Sequence, residues 1–343
     1  MSKKKEKKPQ KKPGSERKPE GILGFERPIL EMENKIQELK TLAQSTHLNL
    51  NGEVTALEER LRKVTSQVYD RLTPWERVNV ARHPDRPVTS DYISKMLDDF
   101  VELHGDRLFA DDPAIVTGFA SLEGRRFLLV AHRKGKTVKE RLVCNFGCAH
   151  PEGYRKAIEK MRLAEKLNMP IVTLINTPGA YPGIGAEERG QARAIAYNIR
   201  EMFGLKVPIL ALVIGEGGSG GALGIGIGDR VGILQYAYYS VISPEGCAAI
   251  LWKSGDKAPE AAEALKLTAP DLVDLGIVDD VVEEPLGGAH RDPALTISSV
   301  KKWILTHLDR LSTIPPEELL EGRYRKFRSM GEVQAGGAAE VGG

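Results

Sequence analysis

Two glycine-rich segments, each placed directly after a short apolar run, restrict the fold of this chain more than any other feature of its sequence. The first covers residues 176–183 and follows the run 170–175, and the second covers residues 215–221 and follows the run 208–214. Because glycine has no Cβ, it permits sharp turns and a close approach of the backbone to a ligand. Both segments lead into helical sequence, so their N–H groups are predicted to face an anion, as in an oxyanion hole.

The composition narrows the class of protein. The 343 residues are 41% hydrophobic and 28% charged, with a formal net charge of +2, which is typical of a globular chain with one large core or two smaller ones. The sequence has no apolar run near the roughly 20 residues that span a bilayer, and no secretory signal pattern. Cys144, Cys148 and Cys247 are too few for a disulfide framework. We therefore predict a cytoplasmic protein that does not bind membranes.

Charge and patterning divide the chain into four segments. Residues 1–20 carry nine Lys or Arg against three Glu and almost no large apolar residue, a composition typical of disorder. We predict a disordered basic tail over residues 1–22, solvated rather than bound to nucleic acid, and a second disordered tail over 329–343. An N-terminal helical region, 23–88, and one α/β domain, 89–328, lie between them.

Hydrophobic periodicity gives the elements within these segments. In the N-terminal region, apolar residues recur at steps of three and four from Ile29 to Ala43 and again from Val54 to Val68, which predicts a helical hairpin. Beyond residue 112 the rhythm becomes that of an α/β domain. The predicted strands are 115–120, 127–131, 171–175, 209–214, 231–234, 239–242 and 277–282, and the predicted helices are 154–167 and 186–202.

The second glycine segment fits more than one pattern. Gly215, Gly217 and Gly220 match the dinucleotide-binding fingerprint, which also requires an acidic residue about 20 positions later. The chain there has Tyr239 and Ser240 instead. The dinucleotide interpretation is therefore disfavoured.

A hydrolase and a backbone catalyst remain as alternatives for this segment. Gly217, Ser219 and Gly221 match the nucleophile motif of serine hydrolases, and His290 with Asp292 would be the downstream triad partners. In the other interpretation the backbone N–H groups stabilise an oxyanion and Ser219 is only a small residue in a tight turn. The glycines on both sides of the serine favour the second.

Together with further motifs, these segments resemble the α subunit of the carboxyltransferase of bacterial multisubunit acetyl-CoA carboxylase. The resemblance extends from about Phe25 to Arg328. It rests on residues 105–112, 145–147, 151–157, 177–190, 215–221, 243–252 and 285–291. It implies an α/β fold of the crotonase or ClpP-like type, a spiral of ββα units, with the N-terminal helical hairpin added. It also implies transfer of a carboxyl group from carboxybiotin to acetyl-CoA, which gives malonyl-CoA for fatty-acid biosynthesis.

The resemblance implies partners as well. In this family a β subunit binds most of acetyl-CoA and carries a zinc ribbon, and the two subunits form an α2β2 assembly that works with biotin carboxyl carrier protein and biotin carboxylase. By this resemblance the chain binds no cofactor directly, receives carboxybiotin from the carrier and is active only with the β subunit. Zinc is expected on the β subunit alone, because Cys144, Cys148 and His150 are not a metal set of the family.

The resemblance also assigns site residues. The backbone N–H groups of Gly220 and Gly221 are the implied oxyanion donors for the biotin enolate, aided by the helix that they open. Substrate-binding positions are implied at Gly217, Gly218 and Ser219, and at Gly179 and Ala180, which are expected to form the opposite wall of the same pocket.

Several polar residues near these segments have open or structural interpretations. Glu216 is either a general base or, as we favour, a capping or structural residue, and Glu245 is predicted to cap a helix. A basic run is predicted either to meet CoA phosphates or to be solvated, and two histidines are predicted to be structural and hydrogen-bonded. The basic run comprises Arg133, Lys134, Lys136 and Lys139, and the histidines are His132 and His290.

Overall fold

The computed structural model describes residues 23–46 and 50–331. The predicted N-terminal tail, 1–22, lies outside the described residues, as do residues 332–343 of the predicted C-terminal tail. The last helix includes Ser329, the first residue of that predicted tail. Among the described residues, no helix combines the length and the apolar character needed to cross a bilayer.

Four helices form the N-terminal part of the chain, after a short 3-10 turn over Gly24–Glu26. The first two pack against each other, which confirms the predicted helical hairpin. Its base packs on the body through a buried cluster that includes Ile29, Tyr69 and Tyr236, because these side chains are apolar and lie where the hairpin meets the domain. The helices are α1 Arg27–Thr46, α2 Asn51–Tyr69, α3 Pro74–Ala81 and α4 Thr89–Met96.

One eight-stranded sheet forms the centre of the domain. Its order is β1-β2-β3-β4-β5-β6-β8, with β7 paired to β5, and only the first two pairings are antiparallel. Every residue of β4 and β5 is buried, as expected for parallel strands covered on both faces. The strands are β1 Asp99–Glu102, β2 Ile115–Leu122, β3 Arg125–His132, β4 Ile171–Thr177, β5 Ile209–Gly218, β6 Arg230–Leu234, β7 Tyr238–Ser240 and β8 Asp280–Val282.

The remaining helices connect and cover these strands. Successive units of strands followed by a helix agree with the predicted α/β rhythm, and 3-10 turns lie at Asn145–Gly147 and Gly255–Lys257. The helices are α5 Val138–Val143, α6 Pro151–Lys166, α7 Ile184–Glu188, α8 Gln191–Gly204, α9 Ser219–Leu223, α10 Pro244–Leu251, α11 Ala258–Ala264, α12 Ala269–Asp274, α13 Pro293–Leu311 and α14 Pro316–Ser329.

Two predicted elements differ from the structure near the glycine segments. The helix predicted over 186–202 is two helices, α7 and α8, because Gly190 adopts φ 81° and interrupts the helical backbone. The strand predicted to end at residue 214 continues to Gly218. Most of the second glycine segment is therefore strand rather than turn.

Candidate active site

The end of β5 divides the sheet and brings the two glycine segments together. The first half of β5 pairs with β6, whereas its last three residues pair with β7, Gly217 opposite Tyr239 and Gly218 opposite Ser240. On the other side, β4 pairs with β5 up to Thr177 opposite Gly217. The turn after β4 and the start of α9 therefore lie side by side at one edge of the sheet.

The two segments touch backbone to backbone. A Cβ on Gly218 would lie 2.1 Å from the carbonyl oxygen of Pro178, and one on Gly221 would lie 2.4 Å from the carbonyl carbon of Gly179 and from the nitrogen of Ala180. No side chain fits at such distances, so these glycines are required for packing. Gly179 and Ala180 are consequently direct neighbours of α9, and their predicted place as the opposite wall of the substrate pocket stays a prediction.

The start of α9 keeps amide groups available for a ligand. Its first N–H groups have no acceptor within the helix, because a helix bonds each amide to the carbonyl four residues earlier. Gly220 is half-buried and Gly221 is buried, so Gly220 presents the more accessible of the two predicted donors. Ser219, also half-buried, has φ 54°, a left-handed conformation that turns the chain sharply from strand to helix. Their contact with substrate stays a prediction.

Gly217 has a structural role in the sheet. It is buried in β5, and a Cβ on it would lie 2.8 Å from the Tyr239 ring. Gly218 is buried beside it. Both glycines therefore shape the loop, and the substrate contacts predicted for them stay a prediction.

Glu216, directly before these glycines, is the centre of an ion-pair network. Its carboxylate accepts hydrogen bonds from Arg82 Nε at 2.8 Å, from the Tyr238 hydroxyl at 2.8 Å and from Lys134 Nζ. Burial alone raises the pKa of Glu216, but the charges of Lys134 and Arg82 outweigh it and lower the pKa to about 2. A carboxylate so stabilised is a poor base at neutral pH. The structural interpretation of Glu216 is therefore supported, as an ion-pair partner rather than a helix cap.

Glu245 extends this network and does not cap its helix. The cap of α10 is Ser243, whose Oγ accepts from the N–H of Gly246 at 3.1 Å. Glu245 instead accepts from Arg82 Nη1 at 2.5 Å. Glu245 lies in the first turn of α10, where a carboxylate is favourable, as predicted, but the hydrogen-bonding cap is the hydroxyl two residues earlier.

Three of the four residues of the basic run are engaged within the chain. Arg133 pairs with Glu102 at 2.9 Å, Lys134 with Glu216, and Lys136 with Asp91 at 2.6 Å. The fourth, Lys139, is exposed. Lys134 is thus a partner of a buried carboxylate, whereas the side chains of Arg133 and Lys136 are 33% and 49% exposed, so the choice between a CoA phosphate site and a solvated face stays open for these two.

The hydrolase interpretation of Ser219 is not supported. His290 lies 3.4 Å from Glu26 and stacks on His83 with ring centroids 3.9 Å apart. The Asp292 carboxylate caps α13 by accepting from Leu295 N–H at 2.9 Å. Base and acid are each held by other partners, so the proposed triad is not assembled.

Within the described residues, no metal-ligand group is formed by Cys144, Cys148 and His150. The one such group there comprises Glu26, His83 and His290. The rings of His83 and His290 are stacked nearly parallel, so their in-plane lone pairs do not converge on one ion. Arg291 Nη2, 3.1 Å from Glu26, already supplies a positive charge there. Hydrogen bonds and this charge lower the pKa of Glu26 to about 2 although burial opposes them. The group is an ion-pair cluster.

The two predicted structural histidines differ in their contacts. His290 has its partners in this cluster. His132 is fully buried, and within the described residues neither of its ring nitrogens has a hydrogen-bond partner of ordinary geometry, although the Gly221 backbone lies close enough to act on the ring. Burial lowers the pKa of His132 to about 3, with the backbone of Gly221 acting in the opposite direction. The ring is therefore neutral at physiological pH.

Sequence reasoning missed the residues that hold the loop from other elements. Arg82, directly after α3, meets Glu216 across 134 positions, and the side-chain oxygen of Asn176 accepts from the Glu216 N–H at 3.2 Å. Tyr154 and Asn198 contact α9 from α6 and α8. No local pattern marks such pairs, because each depends on strands and helices that meet only in the folded chain.

Comparisons with known proteins agree with this geometry. Residues 22–331 match the family model described as acetyl co-enzyme A carboxylase carboxyltransferase-like. A relative from Geobacter metallireducens, named acetyl-coenzyme A carboxylase carboxyl transferase subunit alpha, is 54% identical over 90% of this chain and 96% of its own length. A relative of the same name from Thermus thermophilus is 55% identical over 90% of this chain and 98% of its own length.

Solved structures share the fold. Transcarboxylase 12S, with methylmalonyl-coenzyme A bound, has a TM-score of 0.54 and 22% identity over 66% of this chain and 42% of that one. The β subunit of Pseudomonas aeruginosa geranyl-CoA carboxylase has a TM-score of 0.53 and 18% identity over 72% of this chain and 46% of that one. The crotonase-like fold expected from the sequence is thereby confirmed. The family model covers nearly all of the described residues, and these relatives have more than half of their aligned residues identical to those of this chain. The chain therefore belongs to the family of acetyl-coenzyme A carboxylase carboxyl transferase α subunits.

Proposed function

We propose that this chain transfers the carboxyl group of carboxybiotin to acetyl-CoA, forming malonyl-CoA in fatty-acid biosynthesis, as one half of a shared active site. The second half comes from a β subunit in an α2β2 assembly, which works in the cytoplasm with biotin carboxyl carrier protein and biotin carboxylase. Carboxybiotin enters as a substrate on the carrier, and the chain holds no cofactor of its own. Zinc belongs to the β subunit.

The observation that carries this proposal is the start of α9, where the chain turns from β5 into a helix through Ser219. Negative charge develops on the ureido oxygen of biotin as the carboxyl group leaves, and amides at a helix start stabilise such charge. The contact of Gly218 and Gly221 with the turn after β4 fixes the direction of this helix. The biotin enolate left behind can itself take the proton of the acetyl methyl group that the carboxyl group replaces, so the site needs no acid or base side chain from this loop.

An apolar pocket next to Ser219 supports an apolar ring as the ligand of this half-site. It encloses about 380 Å³ and is bordered by Leu223, Tyr239, Val241 and Leu272. A bicyclic ring with an aliphatic arm, such as biotin, matches walls of this kind, since most of its surface is apolar. We propose that the ring of the carrier's biotin enters here, with its ureido oxygen toward Gly220.

Exposed apolar side chains around the site support a partner subunit. On α5, Val138 and Leu142 are 72% and 62% exposed. At the end of α10, Ile250 and Leu251 are 69% and 66% exposed. Apolar residues grouped in this way are typical of surfaces that another protein covers. We propose that the β subunit covers both groups and brings the acetyl-CoA site beside α9.

Reconstitution tests the shared site. We expect no carboxyl transfer from the purified chain alone, because positioning both substrates supplies roughly 7–11 kcal/mol of the barrier and one subunit cannot provide it. Mixing with the β subunit should restore activity, measured as malonyl-CoA decarboxylation in the presence of biotin. Robust turnover by the chain alone, with any partner excluded by mass spectrometry, would contradict the proposal.

Two substitutions at Gly220 test the amide donor. The nearest atoms to a Cβ on Gly220 are those of Ile195 at 3.8 Å, so alanine fits and keeps the N–H, whereas proline removes it. We expect Gly220→Pro to lower the transfer rate by about 100- to 1,000-fold, as loss of an oxyanion donor does, and Gly220→Ala to change it little. Comparable rates in two variants that assemble at native size would remove this amide from the mechanism.

A further inference from the structure

We propose that Tyr154 and Asn198 are positioning residues for carboxyl transfer, because together they bind the carbonyl groups of α9 and so fix the direction of its amides. Tyr154 lies on α6 and Asn198 on α8, and both side chains are fully buried. Neither side chain needs to touch substrate to act in this way. As a statement about catalysis, the inference rests on the function proposed above.

Tyr154 binds the middle of α9. Its hydroxyl donates a hydrogen bond to the carbonyl oxygen of Gly221 at 3.2 Å. Its ring lies against Gly224, where a Cβ would be 2.5 Å from the ring carbon Cε1. Burial raises the pKa of Tyr154, so the hydroxyl keeps its proton and remains a donor. One residue thus contacts the helix at Gly221 and just after its last residue.

Asn198 binds the end of α9 and Tyr154 at once. Its Nδ2 donates to the carbonyl oxygen of Gly224 at 3.0 Å and to that of Tyr154 at 2.9 Å. Both partners are acceptors only, so the amide must direct its NH2 group toward them. The two hydrogens of one buried amide therefore join α6, α8 and α9 in a fixed arrangement.

This arrangement bears on the proposed donors because α9 has five residues. So short a helix makes few hydrogen bonds of its own, and its orientation depends on tertiary contacts. The turn after β4 restrains α9 at Gly221 on one side, and Tyr154 with Asn198 restrains its carbonyl groups on the other. Amides aimed in advance at a developing charge need no reorganisation during the reaction.

Tyr154→Phe tests the inference, since phenylalanine keeps the ring on Gly224 and removes only the hydroxyl. We expect kcat of the reconstituted complex to fall about five- to tenfold, the effect of one lost buried hydrogen bond, while KM for malonyl-CoA stays within about twofold. Hydrogen–deuterium exchange of the segment 215–224 in the same complex should become several-fold faster. Asn198→Ala should change kcat and exchange in the same direction.

Tyr92→Phe is the matched control. Tyr92 is equally buried, and its hydroxyl has no hydrogen-bond partner within the described residues. We expect neither its kcat nor its exchange over residues 215–224 to change. Equal effects of the Tyr92 and Tyr154 substitutions, or unchanged exchange and kcat in Tyr154→Phe, would overturn the inference.

The exchange measurement separates this inference from the proposed function. If the wild-type complex shows no carboxyl transfer while Tyr154→Phe still accelerates exchange over 215–224, the proposed function fails and the restraint of α9 stands. If wild type is active and Tyr154→Phe resembles it in both measurements, the function stands and the positioning role fails.

Discussion

At the residue scale, the glycines of the second segment have different structural roles, although the sequence alone does not distinguish them. Gly218 and Gly221 lie where another backbone leaves no space for a Cβ, and Gly217 lies against the Tyr239 ring. Gly220 has open space beside it. The first three are needed by the packing of the loop, and Gly220 is the one at which function can be tested without steric conflict.

This difference predicts opposite outcomes for two alanine substitutions. Gly221→Ala should destabilise the protein by about 3 kcal/mol, because its Cβ would overlap backbone atoms that cannot move aside. Gly220→Ala should not lower stability, since alanine is favoured over glycine in a helix. Urea unfolding followed by circular dichroism measures both. Equal stability of the two variants would show that the loop adjusts freely around residue 221.

The packing around Gly221 also changes how the effect of a bulky substitution at this position is interpreted. From the sequence, Gly221→Val is expected to crowd the carbonyl group of carboxybiotin. In the structure a Cβ at this position points to the Gly179 and Ala180 backbone. Lost activity in that variant would therefore report a displaced loop and not a blocked ligand.

At the element scale, charged contacts attach α3 and α10 to the end of β5. Arg82, directly after α3, binds Glu216 on β5 and Glu245 on α10, and it lies near the rings of Trp75 and Tyr238. The side chain of Glu216 is 5% exposed, whereas that of Glu245 is 44% exposed. Buried partners of this kind are strongly coupled to the fold, while exposed ones contribute little.

The acid dependence of stability should therefore include Glu216. Its pKa is lowered from 4.5 to about 2, so its stabilising contribution is complete above pH 4.5 and is lost as the pH falls toward 2. The contribution is about 3 kcal/mol. Glu216→Gln should remove this part of the pH dependence in urea unfolding between pH 5 and 2.

Glu245→Gln is the control for this measurement, because it changes a carboxylate that shares Arg82 but is nearly half exposed. It should leave the acid slope nearly unchanged. An identical slope in wild type and Glu216→Gln would show that Glu216 is not ionised against its partners in the folded protein.

At the scale of the whole molecule, α14 binds the domain through one fully buried cation. Arg323 forms two hydrogen bonds of 2.8 Å with the Asp229 carboxylate. It also donates to the carbonyl oxygens of Met202 at 2.6 Å, Leu205 at 2.9 Å and Val207 at 3.1 Å. The guanidinium thus donates hydrogen bonds to carbonyl groups at the end of α8 and in the chain before β5. Arg323 itself lies far in sequence from the active loop.

Arg323→Met should destabilise the chain by about 3–5 kcal/mol, because it leaves the buried Asp229 charge without its partner. The midpoint of urea unfolding measures the effect. Arg325→Met is the matched control on the same helix, since Arg325 is 76% exposed and its ion pair within the described residues is with the exposed Glu321. It should change the midpoint little. Similar midpoints for both variants would mean that α14 contributes no stability through this contact.

The local sequence was enough to predict the helical hairpin, the α/β rhythm and the position of the loop at the end of an apolar strand, because periodicity and glycine placement act through near neighbours in the chain. It also carried the family resemblance. The tertiary structure decided that β5 continues to Gly218, that Gly221 packs on the Gly179 backbone and that Glu216 is an ion-pair partner. Each of these depends on parallel strands and distant helices meeting, so no local pattern contains it.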